Sequence, residues 1–160
     1  MNSFDTGKYS VSIIQPFGAE PKRIENFLKK IDTSFYEPLS TRVNLKDYSE
    51  KLSQKATNIF LMDSSYDIAH AAIYIFGSKV KIFISSFAVI PEYAGKGVGS
   101  LLLNLVEHYA IKRQVTVIEL ECDCRFIKLT EFYNKRGYKQ YTNSLTEKKC
   151  IFFKDIKVVV

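Results

Sequence analysis

Cysteine and histidine are scarce in this chain, and the way they are placed excludes two classes of site. There are three cysteines, an odd number, at Cys122, Cys124 and Cys150, without the paired spacings of a disulfide framework or a zinc site. The only histidines, His70 and His108, lie far from the Cys-x-Cys pair in sequence. Three reduced thiols and no metal are therefore expected. Proline and glycine are few as well, at 4 and 7 residues, which removes low-complexity and linker readings. No window approaches the ~18 apolar residues of a membrane span, and Met1 to Ser10 lacks the apolar stretch of ~7–15 residues that a signal peptide needs. These absences lead to an expectation of a cytoplasmic chain with no membrane partner.

What remains is rich in core-forming residues. Of 160 residues, 46% are apolar and 14% aromatic, enough for one domain over 1–160. The net charge of +6 is uneven: residues 1–80 carry 10 basic and 9 acidic side chains, residues 81–160 carry 13 and 8. A basic half suits an anionic partner such as a phosphate-bearing cofactor, or is a solvated face. Nucleic acid is disfavoured, because none of the usual recognition motifs is present.

Periodicity orders the elements. Tyr9 to Phe17 is β-branched and aromatic and reads as a strand. Ile24, Phe27, Leu28 and Ile31 recur at helical spacing after Pro21, and Asn44 to Ala56 forms a second helix capped by Asn44. Three strands follow at Asn58–Asp63, Ile68–Phe76 and Val80–Ile90, separated by Ser64-Ser65 and Gly77-Ser78. Val98 to Arg113 is helical, Val115 to Cys122 a strand, Arg125 to Arg136 a helix stopped by Gly137, and Tyr138–Thr142 and Lys149–Val160 two last strands. The order β-α-α-β-β-β-α-β-α-β-β defines an α+β fold, a mixed sheet flanked by four helices.

The window Phe87 to Leu103, FAVIPEYAGKGVGSLLL, carries the chemistry. Gly95, Gly97 and Gly99 alternate between a strand and an apolar helix, where an ordinary turn needs one glycine. Glycine lets a ligand approach the backbone, and the first turn of a helix offers N–H groups and a positive dipole end, so the natural occupant is a diphosphate. The P-loop and the dinucleotide fingerprint both fail at this spacing.

The window resembles motif A of the GCN5-related N-acetyltransferases (GNAT family), [RQ]-x-x-G-x-[GA] after a strand ending V-x-P. Val89-Ile90-Pro91 precedes Ala94-Gly95-Lys96-Gly97-Val98-Gly99, with Ala94 at the Arg/Gln position. A second patch is similar to the family's later helix, [LF]-Y-x-[KR]-x-G-[FY], as Phe132-Tyr133-Asn134-Lys135-Arg136-Gly137-Tyr138; the family's upstream Asn is Phe126 here. The resemblance covers about Ile84 to Tyr138 and implies a GNAT-like acyl-CoA N-acyltransferase fold with a central sheet of about seven strands.

It also implies a function: transfer of acetyl from acetyl-CoA, the cosubstrate, to a primary amine of a small molecule by direct attack in a ternary complex. The backbone of Ala94, Gly95, Lys96, Gly97, Val98, Gly99 and Ser100 is expected to hold the diphosphate. Phe87, Ala88 and Val89 are expected to pair with the pantetheine arm in the gap where two parallel strands splay apart, with an N–H near Val89 polarising the thioester. By the same resemblance Tyr133 is the acid for the leaving thiolate, against a reading as plain core. Glu119 and Glu121, alternate residues of an apolar strand, are candidate bases or a solvated face. Ser85, Ser86 and His70 are polar groups within strands, most simply hydrogen-bonded structural residues, and Arg42 in the Tyr36–Val43 loop is a candidate acceptor contact or a surface ion pair. Two alternatives accompany this reading: a non-catalytic acetyl-CoA-binding module, motivated by Ala94 and Phe126, and acetylation of a protein amine. The terminal Lys157–Val160 run suggests a sheet edge for a homodimer, or a frayed end.

Overall fold

A computed structural model describes residues 6–77, 80–141 and 148–157. Seven strands and four helices succeed one another as β1 (Ser10–Ile14), α1 (Pro21–Ile31), α2 (Leu45–Lys55), β2 (Thr57–Asp63), β3 (Tyr66–Phe76), β4 (Lys81–Val89), α3 (Val98–Lys112), β5 (Val117–Asp123), α4 (Ile127–Lys135), β6 (Lys139–Gln140) and β7 (Lys149–Asp155). The strands form one mixed sheet in the order β1-β2-β3-β4-β5-β7-β6. The chain divides into two compact units, Met1–Tyr74 with Ser86–Val106, and Ile75–Ser85 with Glu107–Val160.

In the first unit β1, β2 and β3 form an antiparallel meander, with Ser12 opposite Phe60 and Phe60 opposite His70. Helix α1 begins at Pro21, whose missing N–H costs nothing in a first turn, and buries Ile24, Phe27, Leu28 and Ile31. Helix α2 opens on Asn44, whose side chain accepts the Asp47 N–H at 3.0 Å. That cap is the one expected from sequence.

His70 lies at the centre of this unit, fully buried between the rings of Phe60 (4.6 Å) and Phe27 (5.5 Å). The amide nitrogen of Asn58 donates to the carbonyls of Leu52 and Ala56, so its Oδ1 is left to accept from His70 Nε2 at 2.8 Å. The tautomer follows: Nε2 carries the proton, and Nδ1 has no hydrogen-bond partner among the described residues. His70 is thus a core residue, and burial lowers its pKa from 6.5 to about 3, with Asp67 opposing and Arg23 adding to the shift. The unfolded chain binds a proton near pH 6.5 that the native chain refuses. Stability from this group is fully present above pH 6.5 and is lost as pH falls toward 3, at up to ~1.4 kcal/mol per pH unit. Urea unfolding between pH 7 and 4 is expected to show this slope, and His70→Gln, which keeps a donor for Asn58, to flatten it.

In the second unit β4 and β5 run parallel, Lys81 opposite Val117 and Ile84 opposite Leu120, and β7 pairs antiparallel with β5. Along β5 the side chains of Ile118, Leu120 and Cys122 are buried while Glu119 is half-buried and Glu121 exposed, the alternation read from sequence. Helix α4 is shorter than expected. The Asp123 carboxylate accepts from the Arg125 backbone N–H (3.0 Å), Nε (2.9 Å) and Nη2 (2.6 Å), which holds 123–126 in a turn and delays the helix to Ile127. The last strand runs from Lys149 to Asp155 and stops short of Ile156 and Lys157, whereas Thr142 and Val158–Val160, the latter most of the proposed Lys157–Val160 dimer edge, lie outside the described residues.

The expectation of three reduced thiols is corrected here. Cys124 and Cys150 form a disulfide with Cα atoms 5.4 Å apart, and Cys122 alone is free. The pairing comes from strand register. Cys122 lies opposite Cys150 in the β5–β7 ladder, and the Cys124 N–H donates to the Lys148 carbonyl at 2.8 Å, which carries Cys124 alongside Cys150. Buried Cys122, its thiol pushed up to about 12 chiefly by desolvation, is a poor nucleophile. A bridge across a separation of 26 residues constrains the unfolded chain by about 3.5 kcal/mol. Cys124→Ser is expected to lower unfolding free energy by about that amount in urea titrations, and added reductant to reproduce the loss.

Candidate active site

The glycine turn belongs to the first unit and follows β4 directly. Pro91–Tyr93 forms a single 3-10 turn, and the Ala94 N–H closes on the Pro91 carbonyl at 3.1 Å. Gly95 and Gly97 then take φ of +74° and +81°, the left-handed region that side-chain-bearing residues enter at a cost of about 1–2 kcal/mol. A Cβ at either would meet nothing within 4 Å. Glycine is required there by backbone conformation, and the space beside it is open. Gly99, by contrast, lies within the first turn of α3.

Helical bonding in α3 starts with the Leu101 N–H donating to the Gly97 carbonyl at 3.1 Å, so the amides of Val98 and Gly99 are first-turn donors at the positive end of a 15-residue helix. No acidic residue stands in that turn to repel an anion. Open space, left-handed glycines and first-turn amides together fit a diphosphate. Lys96 is exposed, with its ammonium 5.3 Å from the centre of the Tyr93 ring.

The strand leading into the turn is tied to β3 at its end. The Ile90 N–H donates to the Ile68 carbonyl of β3 at 2.9 Å. Strand alternation then sends the Ala88 backbone toward β3 and the amides of Phe87 and Val89 to the opposite edge of β4. Registered pairing of β4 with β5 ends at Ile84 and Leu120, although β4 continues to Val89. Of the three strand residues expected to meet the pantetheine arm, Phe87 and Val89 present their amides to that edge.

In the second unit, a helix terminus fixes Tyr133. The Tyr138 N–H donates to the Tyr133 carbonyl (3.1 Å) and the Gly137 N–H to the Asn134 carbonyl (3.2 Å), with Gly137 at φ +85°. This is a Schellman cap, and its usual apolar contact is the edge-on pair of Tyr133 and Tyr138, 5.6 Å between ring centres. Tyr133 also lies 5.8 Å from Phe152 and is 2% exposed, so the ring is part of the core. Burial, then the neighbouring Cys122, pushes its phenol well above the ordinary tyrosine range. The group is protonated at neutral pH. Tyr138 is held in turn by Glu107, whose Oε1 accepts from the Tyr138 hydroxyl (3.1 Å) and Lys154 Nζ (2.9 Å).

Glu119 faces Lys81 at 3.5 Å and Glu121 faces Lys149 at 3.7 Å. Both carboxylates therefore have a cationic neighbour on an adjacent strand, and Glu121 is the more exposed of the two. In the first unit the loop before α2 is pinned by Asp32, which accepts the Ser40 N–H at 2.7 Å and the Ser40 hydroxyl at 2.6 Å. Arg42 follows at the end of the second of two short 3-10 turns, Asp32–Ser34 and Leu39–Thr41. Sequence reasoning did not single out Asp63, whose Oδ2 accepts the Tyr93 hydroxyl at 2.5 Å, because 30 residues separate the pair and no spacing rule connects them. Among the described residues no group of three or more His, Cys, Asp or Glu side chains gathers to hold a metal ion.

The model of the GNAT acetyltransferase family matches residues 24–138, most of the chain, and the protein belongs to that family. It is an acetyl-CoA-dependent N-acetyltransferase. One relative, the S-alkylcysteine N-acetyltransferase of Bacillus subtilis (strain 168), is 26% identical over 129 residues, 71% of this chain and 72% of the relative. Solved structures share the fold. The ribosomal-protein-S18-alanine N-acetyltransferase of Escherichia coli superposes with a TM-score of 0.74 at 17% identity, covering 95% of this chain and 96% of that one. The PaiA N-acetyltransferase of Thermoplasma acidophilum, solved with coenzyme A, gives 0.71 at 16% identity, covering 91% and 99%.

Proposed function

We propose that the protein acetylates the primary amine of a small molecule by direct attack within a ternary complex. One observation carries the acceptor class: the curated relative that shares most of its length with this chain is named for an amino-acid derivative. Acetyl-CoA supplies the thioester on which the amine acts. The amides of Val98 and Gly99, with the backbone from Ala94 to Ser100 and the Lys96 ammonium, bind the diphosphate. Phe87 and Val89 hold the pantetheine arm as a neighbouring strand would, and the Val89 N–H points at the thioester carbonyl oxygen. A donor so placed is worth about 2.7–4 kcal/mol once negative charge develops there.

Tyr133 protonates the departing sulfur. We assign removal of the amine proton to the β5 carboxylates, Glu119 or Glu121, directly or through water. Arg42 and the Asp32–Ser40 loop select the acceptor. The cytoplasm, where acetyl-CoA is a common metabolite, is the proposed compartment. No helix among the described residues is long and apolar enough to cross a membrane. The Cys124–Cys150 disulfide argues for more oxidising surroundings, so thiol titration of protein taken directly from cells decides the point.

The test is an acceptor screen read by release of free CoA thiol, with amino acids, S-substituted cysteines, polyamines and peptides in parallel. Turnover on small amines far above that on peptides is expected. Peptides acetylated at an equal or higher kcat/KM would move the protein to the class acting on protein amines.

A further inference from the structure

Ala94 leaves the diphosphate turn without the cationic or amide side chain that the resembling motif offers, and the structure shows where a substitute charge is held. Lys96 is two residues on, exposed, with its ammonium over the Tyr93 ring. That ring is itself fixed from two sides. Its hydroxyl donates to Asp63 at the end of β2, and the Tyr9 ring packs against it in a T-shaped contact, 6.3 Å between ring centres. Tyr9, Asp63, Tyr93 and Lys96 all belong to the first unit.

We propose that Tyr93, anchored by Asp63, is a positioning residue for acetyl-CoA. It ties the turn that precedes Gly95 to the β2–β3 hairpin and seats the Lys96 ammonium on its ring beside the first-turn amides of α3. A lysine on a free loop loses rotamer entropy when it meets a phosphate, whereas one already resting on an aromatic face has lost part of it beforehand. Asp63 adds orientation, because its Oδ2 accepts the Tyr93 hydroxyl and fixes the plane on which the lysine rests. That strong bond also pushes the Tyr93 phenol up to about 12, so the anchor persists through the neutral range.

The inference rests on the reading of the glycine turn as the diphosphate site, and the experiment separates the two. KM for acetyl-CoA and kcat are measured at two ionic strengths for Tyr93→Phe, Asp63→Ala, the double variant, Asp63→Asn and Lys96→Met, with Gly97→Val as a reference for the turn itself. Tyr93→Phe and Asp63→Ala are each expected to raise KM about 5- to 10-fold with kcat within twofold. The double variant should be no worse than either, because both remove one bond. Asp63→Asn, whose carbonyl still accepts, should recover most of the loss, and Lys96→Met should raise KM and flatten its salt dependence.

Additive effects of the two single changes, or kcat and KM failing together, overturn the proposal. So does a Lys96→Met variant with unaltered affinity and salt dependence, a result that does not depend on how well the tyrosine variants fold. If Gly97→Val also leaves KM unchanged, the diphosphate reading has failed; if Gly97→Val alone raises KM, only the Tyr93 anchor has.

Discussion

Replacing Tyr133 by Phe is expected to lower kcat by about 100-fold or more while KM for acetyl-CoA stays within threefold, the signature of a lost proton donor. The ring contacts with Phe152 and Tyr138 survive this change, so the fold and the Schellman cap should persist. Burial that raises the phenol makes it a weaker acid, but the same dry surroundings raise the affinity of a nascent thiolate for a proton. The two shifts run in the same direction, and transfer stays feasible. Because the phenol remains protonated throughout the working range, an alkaline limb in the pH–rate profile between pH 7 and 10 is not assigned to Tyr133. Unchanged kcat in Tyr133→Phe over a panel of amines would return the residue to the core, where its 2% exposure already places its ring.

A comparable loss, this time in KM, is expected from Gly97→Val. At φ +81° a β-branched residue forces the turn to move or to hold strain of about 1–2 kcal/mol or more, and its methyls enter the space left open beside the α3 amides. KM for acetyl-CoA should rise about 100-fold, and Gly97→Ala about 10-fold, on the strength of lost first-turn contacts to a charged group. Gly77 provides the control, since it shares the left-handed backbone (φ +65°) and an open Cβ position. Gly77→Ala should carry similar backbone strain in urea unfolding and leave KM unchanged. Equal effects at the two glycines would show that backbone strain, not ligand contact, explains the loss.

The backbone geometry of the glycine turn and of the cap beside Tyr133 was legible because it is local. A left-handed glycine, a proline before a turn and an apolar helix are written within 17 consecutive residues, and the Phe132–Tyr138 run contains every atom of its own helix cap. Asn44 was readable as a cap for the same reason. The disulfide was not, because Cys124 and Cys150 are 26 residues apart and meet only once β5 and β7 have chosen their register. Odd cysteine counts argue about frameworks and say little about one pair of strands. The early start given to α4 had another cause. Asp123 and Arg125 fold onto each other in a turn whose energy lies in side-chain hydrogen bonds, which apolar periodicity does not register.

Long-range polar pairs account for what remained hidden in the candidate site. Lys81 with Glu119, Lys149 with Glu121 and Tyr93 with Asp63 each join residues on different elements. The sequence shows two glutamates on an apolar strand but not the lysines that face them. Gln substitutions at Glu119 and Glu121, followed across pH with the best acceptor, assign the step.

The most direct measurement is an amide nitrogen–proton correlation spectrum of the labelled protein titrated with CoA. Large downfield proton shifts at Gly97, Val98 and Gly99, saturating with the same affinity that calorimetry gives, are what diphosphate binding on those donors requires. If CoA binds while these three resonances stay still and others move, the nucleotide is held elsewhere and the account is wrong.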